Sequence, residues 1–155
     1  MPYAALVEVP IRCSLGAGTV TVVKSPFVNL LGLTVVNWDF LQVSLEMAVS
    51  PEVRGGTGAL HGGAIAALVD IAGAMAGSYS PAPDHWPHNV VSLSMNVNFV
   101  RPAFDDVIFA RGRKVGGGRT IFMSTVEITD AQSRLVATGQ GTFKFVLRGA
   151  SARKG

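Results

Sequence analysis

Cysteine is nearly missing from this chain. Cys13 is the only one in 155 residues, so no disulfide can close within the protein. That excludes a disulfide scaffold and fits a reducing, cytoplasmic setting. The surroundings of Cys13, Ile11-Arg12-Cys13-Ser14, hold no His and no glycine-rich elbow, so a cysteine nucleophile is not expected. Charge is also scarce, at 15% against 48% hydrophobic residues, which excludes a disordered chain and implies a large buried or subunit-facing area. The N-terminus lacks a basic stretch followed by an apolar run, so no signal peptide is expected. Residues 59–79 are apolar, but His61, Asp70 and several glycines interrupt them and no basic cluster flanks them, so no membrane span is expected. Asp84, His85 and His88 are the one metal-like grouping. Pro87 breaks their spacing and no fourth ligand is evident, so no metal site is expected.

What charge there is lies unevenly. Arg101, Arg111, Arg113, Lys114, Arg119, Arg134, Lys144, Arg148, Arg153 and Lys154 all fall after residue 100, opposed there by Asp105, Asp106, Glu127 and Asp130. Such a field attracts a polyanion. The basic residues are not interleaved with aromatics and no nucleic-acid module is visible, so a phosphate-bearing small molecule is the expected ligand and nucleic acid is not.

The chain length suits one domain. Pro26 to Leu31 reads as a helical turn. From Leu33 the pattern is strand, with Leu41, Val43, Leu45, Met47 and Val49 alternating at period two. Ser50 to Gly58 is a loop. Ile65, Leu68, Val69, Ala72, Met75 and Ala76 then recur at helical spacing, ending at Gly77 and Ser78. Past the loop Ser80–Pro87, Leu93, Met95, Val97 and Phe99 alternate with Ser92, Ser94, Asn96 and Asn98. Three further strand-like runs follow at Val107–Val115, Arg119–Thr129 and Leu135–Leu147. Their short connections imply antiparallel neighbours. The expected fold is α+β: five or six antiparallel strands against one long helix.

Asp70 is the one carboxylate in that apolar helix. A lone buried carboxylate is costly unless compensated, so Asp70 is a functional candidate. In a regular helix starting near His61, Asp70 lies about 13 Å along the axis and on roughly the opposite face. His61 and Asp70 therefore cannot meet within one chain. If both serve one site, a second copy supplies one of them, which suits a two-fold dimer.

Leu60-His61-Gly62-Gly63 through Asp70, the run Val91 to Ala103, Gly117-Gly118-Arg119-Thr120 and Leu135 to Phe143 together resemble the hotdog-fold thioesterases of the phenylacetic-acid-degradation (PaaI-like) type. The resemblance covers about residues 26–147. It implies a curved sheet wrapped around a central helix over 26–148, with an N-terminal extension (1–25) packed on the domain and a loose basic tail (149–155). It also implies homodimers, often dimers of dimers, and acyl-CoA thioester hydrolysis without metal or organic cofactor. Asp70 matches the catalytic carboxylate, acting as general base or nucleophile, and Ser92 a residue that orients water. Gly62 and Gly63 match a helix N-terminus that polarises the thioester carbonyl, with His61 beside it. Thr57 and Phe99 are further substrate contacts, and Gly117, Gly118, Arg119 and Thr120 contact CoA. Relatives carry an Asn ahead of His-Gly-Gly. Here residues 54–59 hold none, and Gly55 falls about where it would sit. Two rival readings stay open: an enoyl-thioester hydratase or dehydratase, which releases no thiol, and an acyl-CoA-binding module without turnover. Aromatic, short aliphatic and medium-chain acyl groups, on CoA or on acyl-carrier protein, are all compatible.

Overall fold

The computed structural model describes residues 25–79 and 88–147. Cys13, Asp84, His85, most of the N-terminal extension and the tail lie outside them. The order of elements is α1 (Pro26–Leu30), β1 (Leu33–Asp39), β2 (Gln42–Ala48), a 3₁₀ turn (Pro51–Val53), α2 (Gly62–Gly77), β3 (His88–Phe99), β4 (Val107–Gly117), β5 (Ile121–Asp130) and β6 (Leu135–Leu147). All strand pairs are antiparallel, in the order β1-β2-β4-β5-β6-β3. This is the α+β arrangement expected, with six strands and one long helix.

Period-two alternation gives one sheet face to the core. Val43, Leu45 and Met47 on β2, and Phe122, Val126 and Ile128 on β5, are buried beneath α2. The helix itself is apolar nearly all round, and Leu68, Val69, Ala72 and Ala76 are fully buried. Two glycines let it approach the sheet closely. A Cβ on Gly112 would stand 2.3 Å from the Ala72 carbonyl oxygen, and one on Gly139 2.3 Å from a Val69 methyl. At its far end, Trp38 Nε1 donates to the Met75 carbonyl at 2.8 Å, fixing the last turn against β1.

Several features differ from the sequence pattern. Leu41 does not continue a strand: it sits in the β1–β2 turn with φ of 75°, a left-handed conformation that disfavours non-glycine residues. Asp39 braces that turn by accepting from Gln42 Nε2 at 2.8 Å and Asn37 Nδ2 at 3.2 Å. β3 begins at His88, directly after the expected loop and four residues before the alternating run that starts at Ser92. Finally, the register of β3 on β6 shifts between Ser92 and Ser94.

The β5–β6 turn closes around a buried carboxylate. Asp130 accepts from the backbone N–H groups of Gln132 (3.0 Å) and Arg134 (2.9 Å) and from Arg134 Nε at 2.7 Å. Burial alone would raise its pKa. The bonds and charge from Arg134, with the Gln132 amide, outweigh burial and hold Asp130 below the ordinary carboxylate range.

Candidate functional site

The approach to α2 is a closed loop. Arg54 and Leu60 form an isolated antiparallel bridge, His61 N–H donates to the Val53 carbonyl at 2.9 Å, and Leu60 N–H donates to Ala103 at 2.8 Å. His61 is the helix N-cap, with φ −66° and ψ 137°, and its Nδ1 accepts from Gly63 N–H at 2.9 Å. The His61 carbonyl takes the amides of Ala64 and Ile65. The two glycines therefore part ways: Gly63 spends its N–H inside the cap, while Gly62 N–H has no acceptor among the described residues. A neutral His61 whose Nδ1 accepts carries its proton on Nε2, facing away from the cap. The Phe99 ring flanks this helix end, 3.5 Å from where a Cβ on Gly62 would stand.

Asp70 is half-buried on α2, and Ser92 Oγ on β3 donates to Asp70 Oδ1. No Lys, Arg or His pairs with Asp70 among the described residues. The sequence placed Ser92 on one polar face with Ser94, Asn96 and Asn98. The bulge at Leu93 breaks that face. Ser92 pairs with the buried Phe143 and Met95 with Gly141, so Ser92 joins Met95, Val97 and Phe99 on the helix side, while Ser94, Asn96 and Asn98 point away. Were Leu93 paired in a regular strand instead of bulged, Ser92 would share the outward face of Ser94.

Gly62 lies eight residues before Asp70, about 12 Å along the helix. One chain thus offers an unpaired N–H at one place and a hydroxyl-bonded carboxylate at another. Among the described residues β3 is one of the two edges of the sheet, the other being β1, and is twelve residues long with Val91, Leu93, Met95 and Phe99 exposed. A long apolar edge of this kind is a template for pairing with another strand.

The remaining candidates lie elsewhere. Thr57 is on the exposed Gly55–Gly58 turn, not at the helix end, whereas a Cβ on Gly55 would lie 3.6 Å from His61 Cδ2. Gly117, Gly118, Arg119 and Thr120 make the β4–β5 turn. Gly117 has φ of 107°, Gly118 N–H donates to the Ile121 carbonyl at 2.7 Å, and Arg119 is exposed. The row Gly117–Phe122–Phe143–Ser92 crosses three strand gaps, so this turn stands about 14 Å from Ser92. Arg113 and Lys114, both part of the basic field, lie on opposite faces of the sheet. Lys114 Nζ lies 5.4 Å from the centre of the Phe122 ring on the helix side, while Arg113 joins Arg111, Asn98, Thr125, Glu127 and Gln140 around an open groove of about 650 Å³ on the opposite face. Among the features that escaped the sequence reading are the Leu93 bulge and the hydrogen-bonding role of Arg54.

The thioesterase superfamily profile matches residues 57–137, more than half of the chain. The chain belongs to the thioesterase superfamily. Membership supports thioester hydrolysis in general terms, and the sheet wrapped on one helix is its hotdog fold. A candidate esterase of Halobacterium salinarum is 32% identical over 123 residues, covering 68% of this chain and 81% of that protein. The conserved protein PA5202 of Pseudomonas aeruginosa superposes with a TM-score of 0.71 at 28% identity, covering 79% of this chain and 94% of that one. PaaI of Escherichia coli, from the phenylacetic acid degradation operon, superposes at 0.68 and 22% identity over 79% of this chain and 85% of its own, a likeness of fold alone. No described helix of this superfamily member is long and apolar enough to cross a membrane.

Proposed function

We propose that this protein hydrolyses acyl-CoA thioesters at a site shared between two copies, in the manner of the PaaI-like hotdog enzymes. The observation that carries the reading is the separation of the two halves: Ser92 bound to Asp70 at one place, and the unpaired Gly62 N–H about 12 Å along the same helix. Two-fold pairing of β3 with its counterpart brings Ser92 of one copy opposite Phe99 of the other when the axis passes near Met95 and Asn96. Phe99 flanks Gly62, so each Asp70 then faces the other copy's free N–H.

In this arrangement the thioester carbonyl accepts from Gly62 N–H, and the positive helix end stabilises the oxyanion. Asp70 takes a proton from water as it attacks the carbonyl carbon, or attacks directly to form an acyl-aspartyl anhydride that water then hydrolyses to the free acid and carboxylate, and Ser92 holds the reacting group against the carboxylate. The tetrahedral oxyanion collapses, the C–S bond breaks, and CoA leaves as thiolate and takes a proton. The exposed Arg119 turn, with its glycine N–H groups, suits the CoA phosphates. Phe99 offers an apolar wall to the acyl group.

Thiol release from a panel of aromatic and aliphatic acyl-CoAs, wild type against Asp70→Asn, tests the reaction. Turnover that falls about 100-fold or more in Asp70→Asn supports carboxylate-driven hydrolysis. Binding of CoA esters with no thiol released from any of them would replace it with the binding-module reading.

A further inference from the structure

Arg54 is the most heavily engaged side chain at the approach to α2. Its Nη1 donates to the carbonyls of Gly58 at 3.0 Å and Phe104 at 3.1 Å. Its Nη2 donates to the Asp105 carbonyl at 3.3 Å and to Asp106 Oδ1 at 2.8 Å. One guanidinium thus ties together two segments distant in sequence. The first is the 55–59 loop, which leads into His61 and Gly62. The second is 104–106, which continues the stretch whose Phe99 flanks Gly62 and whose Ala103 carbonyl holds Leu60 N–H. The two segments meet at Leu60 N–H and the Ala103 carbonyl, two residues before the Gly62 amide.

The four contacts differ in weight. The Arg54 side chain is 20% exposed and that of Asp106 93% exposed. An ion pair with so open a carboxylate contributes little in water, so the carbonyl contacts carry the tie. They also demand arginine. A planar fork reaches several fixed acceptors at once, which an ammonium on a flexible stem does not.

We propose that Arg54 is a positioning residue for catalysis, fixing the Gly62 N–H by locking the 55–59 loop to residues 104–106. The proposal rests on the shared-site hydrolase reading for its kinetic consequence and on the hydrogen bonds alone for its structural one.

Two readouts test it on the full-length protein with Arg54→Ala, Arg54→Lys and Asp106→Asn. The first is thiol release with the acyl-CoA that wild type cleaves best. Arg54→Ala lowers kcat about tenfold or more, since small misplacements of a catalytic donor are costly, while KM stays within about twofold. Arg54→Lys recovers part of the loss, and Asp106→Asn keeps wild-type kcat. The second readout is amide hydrogen exchange. Arg54→Ala speeds exchange at Leu60 and His61 and leaves Val69 to Ala76 protected. Unchanged kcat in a folded Arg54→Ala protein, or unchanged exchange at Leu60 and His61, overturns the proposal. If wild type releases no thiol from any CoA ester, the hydrolase reading fails by itself. The exchange readout then decides whether Arg54 holds the helix approach.

Discussion

Replacing Gly112 by alanine tests whether helix–sheet contact sets the geometry of the site. A Cβ at this position would lie 2.3 Å from the Ala72 carbonyl oxygen and 2.8 Å from its carbonyl carbon, about 1 Å short of ordinary contact. The obstructing atoms are helix backbone, which no rotamer change can move aside. α2 must therefore lift from the sheet, or β4 must bend. Overpacking of this kind costs about 1–3 kcal/mol, and each kcal/mol lowers Tm by about 2–4 °C in a domain of this size. Asp70 precedes Ala72 by two residues, so the same displacement strains its bond to Ser92 and lowers turnover with stability. Guanidinium denaturation at one fixed protein concentration measures the first effect, and thiol release the second. Gly56→Ala is the control, since a Cβ there meets nothing within 4 Å. A Gly112→Ala protein with the denaturation midpoint and turnover of Gly56→Ala would refute the reasoning.

Deleting Leu93 removes the bulge but leaves Ser92 beside Ser94, opposite Phe143 and facing α2, so the deletion keeps turnover well above that of Ser92→Ala. Turnover no higher than that of Ser92→Ala in parallel thiol-release assays would contradict the register. Trp38→Phe removes one of the donors to the Met75 carbonyl, which keeps Ser78 N–H and Oγ, and costs about 0.5–1.5 kcal/mol, read as a lowered denaturation midpoint at unchanged slope. Asp130 is held below its ordinary pKa of 3.8 in the folded protein, so its contribution is present above that pH and is lost as pH falls through the lowered value. Wild type is therefore more stable than Asp130→Asn at neutral pH, and the gap closes under acid titration. A gap that widens below pH 4 would reverse the sign.

The alternation of Val43, Leu45 and Met47, the apolar spacing of α2 and the short links between later strands carried the fold into plain view, because each reflects a burial period that sequence records directly. Asp70 stood out for the same reason, as a charge among apolar neighbours. What stayed hidden depends on contacts between distant segments. Leu93 reads as one more apolar strand residue, and only the pairing of β3 with β6 shows that it is bulged out, which puts Ser92 on the face opposite Ser94. Gly62 and Gly63 looked alike as carbonyl donors until the cap bonded Gly63 N–H to His61 Nδ1. Arg54 sits in a glycine-rich loop with nothing nearby to mark it, since three of its four acceptors lie about fifty residues away. Leu41 followed the period of β2 but was needed to reverse the chain.

The central claim is that Asp70 of one copy works with the Gly62 N–H of another, and subunit mixing tests it most directly. Gly62→Pro removes that N–H and little else: proline is tolerated at the first helical position, and His61 already has the backbone angles suited to precede it. Asp70→Asn and Gly62→Pro are each expected to be nearly inactive alone. After unfolding and refolding together in equal amounts, half of the dimers are mixed and each holds one intact site. Thiol release should then return to about one quarter of wild type. Mixed dimers that form without any gain in activity would show that Asp70 and Gly62 do not meet across the interface.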